Sequence, residues 1–385
     1  KIYYIANVRM PTEKAHGIQI AKMCEHFIEQ GADLTLVVPN RKAERRTIKD
    51  FYGLRRNVPI MKLPVIDWHG RGRMGFFIGS CSFIVSYVLY LLYQRLKGRA
   101  GIVYTTDIDQ FSFIALPFLG MPCFAELHDS KKKTFPFSVL LGRLKGLIVI
   151  NGIIKKELIR AYGLIERDVI VHPNGVDMMY YAHILSKHDA RISLGIAQDA
   201  RVIVYIGKFY RWKGLDTLVA SAAMTAPGVR YYLAGGTKEE LQAASGMRDI
   251  PDAVVCAGSR NITEIPTWLA AADVLIVLGT KRNEYSYLHT SPMKFFEYMA
   301  SRRPIVASNT PANREIASSD EVLFYEPDNA RDLAAKVAYA LEHREEMEHK
   351  AVQAYERAKG LTWKKRAKKI LEFMQQRTFM YKNSF

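Results

Sequence analysis

The chain repeats one pattern from end to end: a short apolar run of strand length, a turn, then an amphipathic stretch. In the first half strands are predicted at 2–6, 33–38, 59–63, 101–105, 122–126, 147–150 and 168–171, with helices near 18–30, 74–96, 109–117 and 152–162. The pattern resumes after a linker placed at about 172–198, with strands at 202–206, 229–234, 253–257, 273–278, 304–307 and 321–324. The clearest later helices are 329–343, 346–358 and 362–376. Strands alternating with helices over short links imply a doubly wound parallel sheet. Two such runs in 385 residues suit an α/β protein of two Rossmann-like domains facing across a cleft.

Within the second run, residues 291–309 read as a short helix feeding a buried strand. Ser291 suits an N-cap and Pro292 the first helical position, where a missing N–H costs nothing. Phe295, Phe296, Met299 and Ala300 recur at helical spacing, and Pro304 ends the helix. Such a helix start directs free N–H groups and a positive dipole end at what precedes it, which suits a phosphate. Glu297 follows Pro292 by five residues, roughly 7.5 Å along the axis, about the reach from a diphosphate to a nucleotide's ribose. A surface helix with a solvated Glu is the plainer alternative.

Three loops sit where ligands of doubly wound folds bind, beyond the carboxyl ends of strands. The loop after the first strand ends at Gly17, without a GxGxxG fingerprint. The fifth strand ends in Glu126-Leu127-His128-Asp129, which puts an imidazole at the crevice edge. The strand at 202–206 runs into Gly207-Lys208-Phe209-Tyr210-Arg211-Trp212-Lys213-Gly214, two lysines around a short loop that could clamp an anion. Each of these residues also has an ordinary structural reading, as a turn glycine, a core histidine or solvated lysines.

Charge is uneven. The formal net charge is +17, and residues 41–99 hold thirteen Lys/Arg against three Asp/Glu. Among them lies the strongest apolar run, 74–93, read as a core or interface helix or as one lying on a membrane surface with Arg71, Arg73, Arg95 and Lys97 at its ends. Its glycines, serines and tyrosines argue against a bilayer span despite its length. A basic, aromatic-flanked patch attracts anionic headgroups, whereas no recognition helix or RNA motif accompanies it, so nucleic acid is not an expected partner. Cys24, Cys81, Cys123 and Cys256 form no CxxC pair, so neither a zinc site nor a disulfide framework is expected. The N-terminal strand shows no secretory leader pattern, and a cytoplasmic location, peripheral on the inner face of the membrane, is the expectation.

In order along the chain stand Lys14-Ala-His-Gly17, Glu126-Leu-His-Asp129, Pro173-Asn-Gly-Val-Asp177, Gly207-Lys208 with Lys213-Gly214, Ser291 to Ala300 with Pro304-Ile-Val-Ala307, and Leu361-Thr-Trp363. With these the chain closely resembles the retaining glycosyltransferases of family 4, which have the two-domain GT-B fold. The resemblance implies an acceptor-binding domain at 1–180, a nucleotide-sugar-binding domain at 181–361, and a final helix, 362–385, crossing back to the first. It implies that Lys208 and Lys213 bind the donor diphosphate and that Glu297 binds the nucleotide ribose. Ser291, Pro292, Met293 and Lys294 would surround the phosphates and the transferred sugar, Gly207 would permit their approach, and Gly17 would lie under the diphosphate. His128 matches the histidine near the reacting face of the sugar, and the segment Gly258-Ser259-Arg260 falls where backbone usually meets the base. His289 stands where many members have a glutamate on the donor sugar, and Glu284 is out of register to replace it, so the sugar stays open.

The implied reaction moves a glycosyl unit from a UDP- or GDP-sugar, UDP slightly favoured, to an acceptor hydroxyl with retention. No Asp-x-Asp pair stands at a strand end, so no metal and no other cofactor is expected. The basic patch favours a lipid-linked saccharide or glycolipid acceptor. Two other classes stay open: a sugar-nucleotide epimerase of the same architecture, which needs no acceptor, and a non-catalytic membrane-associated binding protein.

Overall fold

The computed structural model describes residues 1–382 except 43, 45, 69–71, 108 and 110. Arg71 and part of the predicted 109–117 helix therefore lie outside the described residues. Contacts divide the chain into two units, Lys1–His172 with Trp363–Phe385, and Pro173–Thr362.

The first unit holds strands β1 (Ile2–Ile5), β2 (Leu34–Pro39), β3 (Ile60–Leu63), β4 (Ile102–Thr106), β5 (Cys123–Leu127), β6 (Gly146–Val149) and β7 (Val169–Val171). They form one sheet in the order β3-β2-β1-β4-β5-β6-β7, every pair parallel. The second unit holds β8 (Arg201–Ile206), β9 (Val229–Ala234), β10 (Val254–Gly258), β11 (Val274–Val277), β12 (Ile305–Ser308) and β13 (Leu323–Tyr325). Their order is β10-β9-β8-β11-β12-β13, again all parallel. In each sheet the order reverses beside the first strand, so the switch points lie between β1 and β4 and between β8 and β11. Loops leaving the carboxyl ends there are the ones a ligand meets.

Each of the thirteen strands among the described residues was legible because helices cover both faces of a parallel sheet and demand near-continuous apolar runs. The first helix, Ala15–Glu29, buries Ile20, Met23, Cys24 and Phe27 against the first sheet. The closing helix, Trp363–Lys382, lies on the first helix and belongs to the first unit. Its Phe373 fills the space that Gly146 leaves open, since a Cβ on Gly146 would come within 2.5 Å of that ring. Arg377 ties it further to Asp168.

Two expectations need correction. Among the described residues of 109–117 there is no α-helix: Asp109 Oδ1 accepts the N–H groups of Phe111 and Ser112, a local turn that competes with helix, and the short 3-10 turn Leu116–Phe118 follows. The segment 172–198 is no free linker. Helices Met179–Ala182 and Lys187–Leu194 occupy it, the latter capped by Ser186 and ended by left-handed Gly195. Tyr181, Ala190 and Ile196 are part of the second unit's core.

The helix Gly72–Leu96 is long and apolar enough to cross a membrane by length and composition. One face is nevertheless committed: Phe83, Tyr87 and Leu91 have no solvent exposure and share a core with Tyr3 and Ile5 of β1. The opposite face leaves Met74, Val85, Leu89 and Leu96 from 59% to 88% exposed.

Candidate active site

In the second unit the backbone itself opens the site. Gly207 (φ +151°) and Gly235 (φ +155°) follow β8 and β9 in conformations that side chains rarely adopt, and a Cβ on Gly235 would sit 2.0 Å from the Gly207 carbonyl oxygen. This close crossing turns the chain sharply into the loop that carries the two lysines. Lys213 folds back so that its Nζ donates to the Lys208 carbonyl at 3.1 Å and lies 5.2 Å from the Tyr210 ring centroid and 5.5 Å from that of Trp212. Lys213 is half-buried, and this burial, and then the nearby Lys294, pull its pKa down to about 8. Lys208 contributes its carbonyl and leaves its side chain exposed.

The helix Met293–Ala300 is held against the end of β8 by Tyr298, whose hydroxyl accepts the Ile206 N–H at 2.7 Å. Phe295, Phe296, Met299 and Ala300 are buried beneath it, the face expected from their spacing. Lys294 Nζ and Glu297 Oε2 pair at 2.8 Å. Lys213, Lys294 and Glu297 thus gather beyond the carboxyl end of β8, at the switch point of the second sheet.

Ser291 does not cap this helix. Pro292 occupies the capping position with extended backbone, and Ser291 is turned the other way. Its Oγ accepts the Asn174 N–H at 3.1 Å, and its carbonyl accepts Asn174 Nδ2 at 2.7 Å. The Pro173-Asn174-Gly175 turn is therefore a clamp on the segment leading into the helix. Upstream, His289 is buried and ends the π-helical turn Tyr285–His289, a geometry common at functional sites. Arg282 pins the start of that loop to Asp216 at 2.8 Å and to Asp328 at 3.0 Å. Ser259 and Arg260 are exposed after β10, two strands from β8, roughly 10 Å at the usual strand spacing, so they are not in the lysine cluster. Arg260 lies over Trp268 at 5.3 Å.

In the first unit, Gly17 is explained by packing. The Tyr52 hydroxyl donates to the Thr12 carbonyl at 2.7 Å and accepts the Thr12 N–H at 2.8 Å, fixing the loop. A Cβ on Gly17 would meet that hydroxyl at 2.3 Å. His128 sits at the end of β5 with Nε2 2.5 Å from Glu126 Oε1 and Nδ1 3.5 Å from Asp107 Oδ2. Burial pulls the His128 pKa down, but Asp107 and Glu126 outweigh it and the net shift is upward. Glu126 is fully buried, which alone favours its neutral form, yet Arg366 and His128 hold it well below the usual carboxylate range.

Sequence reasoning missed Arg366, Gln19, Tyr104 and the role of Asp107. One signal was available. Arg366 falls three residues after Trp363 and four before Ile370, on the apolar stripe of the closing helix, and a charge in core register calls for a buried partner.

Residues 200–343 match the family described as "Glycosyl transferases group 1". Over 241 residues the chain is 24% identical to the D-inositol 3-phosphate glycosyltransferase of Kineococcus radiotolerans, a match covering 57% of this chain and 54% of that protein. The chain therefore spans only about half the length of that relative. Sucrose-phosphate synthase of Thermosynechococcus elongatus superposes with a TM-score of 0.74 at 17% identity, over 98% of each chain. Anabaena HepE, in complex with UDP and glucose, superposes at 0.72 and 16% identity, over 97% of this chain and 99% of that one. The chain has the GT-B fold, and within its second unit residues 200–343 are similar to the group 1 glycosyl transferases.

Proposed function

We propose that this chain is a retaining, metal-independent glycosyltransferase that moves a sugar from a nucleotide diphosphate donor to an acceptor hydroxyl. One observation carries the reading. Lys294 is held near enough to Lys213 to disfavour the charge of the Lys213 ammonium, and one carboxylate, Glu297, pairs with Lys294. A cluster with surplus positive charge at a strand's carboxyl end calls for an anion, and the diphosphate of a sugar nucleotide supplies it. Lys213, Lys208 and the N–H groups opening the helix Met293–Ala300 take up the charge of the leaving diphosphate. Glu297 offers its second oxygen to a ribose hydroxyl, and His128 donates to the transferred sugar. The leaving phosphate accepts the proton of the attacking hydroxyl. UDP is favoured as the nucleotide because HepE, of the same fold, binds it.

The test is incubation with a panel of UDP- and GDP-sugars, with and without lipid extract, followed by nucleoside diphosphate release and product analysis. Acceptor-dependent release with the anomeric configuration kept is the expected result. Epimer or free sugar formed from donor alone would instead identify a sugar-nucleotide epimerase, and no turnover or donor binding would identify a binding protein.

The pH dependence carries a sign. A free-state Lys213 pKa of about 8, below its ordinary 10.5, rises when a diphosphate binds. Donor affinity is therefore greatest below pH 8 and falls as pH rises through it. The same depressed pKa makes the folded chain bind fewer protons than the unfolded one between about 8 and 10.5, so this group's contribution to stability rises with pH across that window. Donor KM measured from pH 6.5 to 9.5 should climb above 8 in the native chain and stay flatter in Lys213→Arg.

The acceptor we propose is a lipid-linked saccharide or glycolipid, reached from the inner face of a membrane. The exposed stripe Met74, Val85, Leu89 and Leu96, with Arg73, Arg95 and Lys97 at its ends, supports that reading. Apolar side chains enter the headgroup boundary while each nearby cation adds about 1 kcal/mol on an anionic surface. Co-sedimentation with phosphatidylglycerol vesicles should weaken with salt and fall at least about tenfold in Val85→Glu/Leu89→Glu. Equal pelleting of the variant would leave a soluble acceptor as the better assignment.

A further inference from the structure

Glu126 is the hub of a polar network buried beneath the first sheet's switch point. Its Oε1 lies 2.7 Å from Arg366 Nη2, 2.8 Å from Gln19 Nε2 and 2.5 Å from His128 Nε2. Its Oε2 accepts Arg366 Nη1 at 3.1 Å and the Tyr104 hydroxyl. Arg366, Gln19 and Tyr104 are all buried, and among these partners only His128 keeps solvent contact. A buried ion pair is weak evidence for stability, because apolar side chains of equal volume commonly serve as well or better. What apolar side chains cannot do is present an anion to an imidazole. The network therefore has one outlet, the His128 ring.

We propose that Arg366 and Glu126 are positioning residues for His128: the guanidinium grips both carboxylate oxygens, and the carboxylate holds the ring by Nε2–H. Two parallel bonds fix the plane of Glu126, which a single ammonium could not do. With Nε2–H spent on Glu126, the less tightly held Nδ1–H, 3.5 Å from Asp107, is the proton His128 can offer to a ligand hydroxyl. Doubly protonated, the ring donates and cannot serve as base or nucleophile. The charged groups around it are Asp107 after β4, Glu126 on β5, His16 on the first helix and Arg366 on the closing helix. Burial and Arg366 oppose the ring's charge, while Asp107 and then Glu126 favour it, so the charge rests on both carboxylates, and Glu126 is in turn held ionised by Arg366 and His128. The consequence for turnover rests on the glycosyltransferase reading above; the consequence for the ring does not.

The experiment is an NMR titration of the His128 ring in the full chain without donor, assigned by comparison with His128→Gln, together with kinetics under saturating donor. The double variant Arg366→Met/Glu126→Met removes both charges at once and avoids a lone buried ion. Its His128 midpoint should fall by about one pH unit or more, since an adjacent anion of this kind typically shifts a pKa by that much. Its kcat should fall by about thirtyfold or more with donor KM changed less than about threefold, the pattern of a misplaced group rather than a lost binding contact. Arg366→Lys, which keeps the charge, should retain the midpoint and recover part of kcat. If the double variant does not fold, Glu126→Gln and Arg366→Lys decide by the same titration. A folded variant lacking the Glu126 charge whose His128 midpoint matches the native chain overturns the proposal. If the native chain transfers no sugar, the proposed function fails while the titration still judges the network.

Discussion

Lys213→Ala should lower sugar transfer at saturating donor by about a hundredfold, the scale of losing one oriented electrostatic contact to a developing charge. The expectation follows from where the ammonium is held. It is bonded to the Lys208 carbonyl, lies beside two aromatic rings and is close enough to Lys294 to feel its charge. Such a group is poorly stabilised until an anion arrives, so it interacts most strongly when the leaving diphosphate carries most charge. The loss should therefore fall on kcat beyond any rise in donor KM. Glu297→Ala should cost a similar factor, partly by freeing Lys294 from its 2.8 Å pair. Steady-state kinetics of both variants settle the matter, and near-native rates would sink the assignment of the lysine cluster.

Gly235→Ala should destabilise the second unit by about 3 kcal/mol or more, because strain and steric overlap add. At φ +155° any side chain is disfavoured, and here the new Cβ would lie 2.0 Å from the Gly207 oxygen and 3.0 Å from the Lys208 nitrogen. Both are backbone atoms at the turn between β8 and the lysine loop, so relief requires moving that loop. Gly246→Ala is the control. It has a similar sign of φ, +74°, but nothing within 4 Å, and should cost only about 1–2 kcal/mol. Denaturant unfolding of the two variants beside the native chain makes the comparison. Equal costs would show that the crossing of the two loops yields easily.

These predictions draw on different depths of the sequence. The strands could be anticipated because periodicity is local: each announces itself within six residues. The helix at 293–300 was equally plain, yet its cap was misassigned. Ser291 has the right chemistry for capping, and nothing nearby reveals that Asn174, 117 residues away, has claimed it. Likewise His128 could be singled out from its place at a strand end, but the group that governs it could not. Arg366 and Glu126 are 240 residues apart, and only the fold joins them. The absence of α-helix among the described residues of 109–117 has a local cause, one aspartate bonding to the backbone two and three residues on. What escaped prediction was polar and specific, whereas what was anticipated was apolar and repetitive.

The discontinuous make-up of the first unit bears on the order in which the protein can be completed during synthesis. Residues 173–362 form an uninterrupted segment that can close as soon as it leaves the ribosome, whereas residues 1–172 must wait for 363 onward. Until then Glu126 lacks its guanidinium, and Phe373 has not yet filled the space left by Gly146. The half made first is thus finished last, and the wait exposes the surface of the first helix that the closing helix will cover.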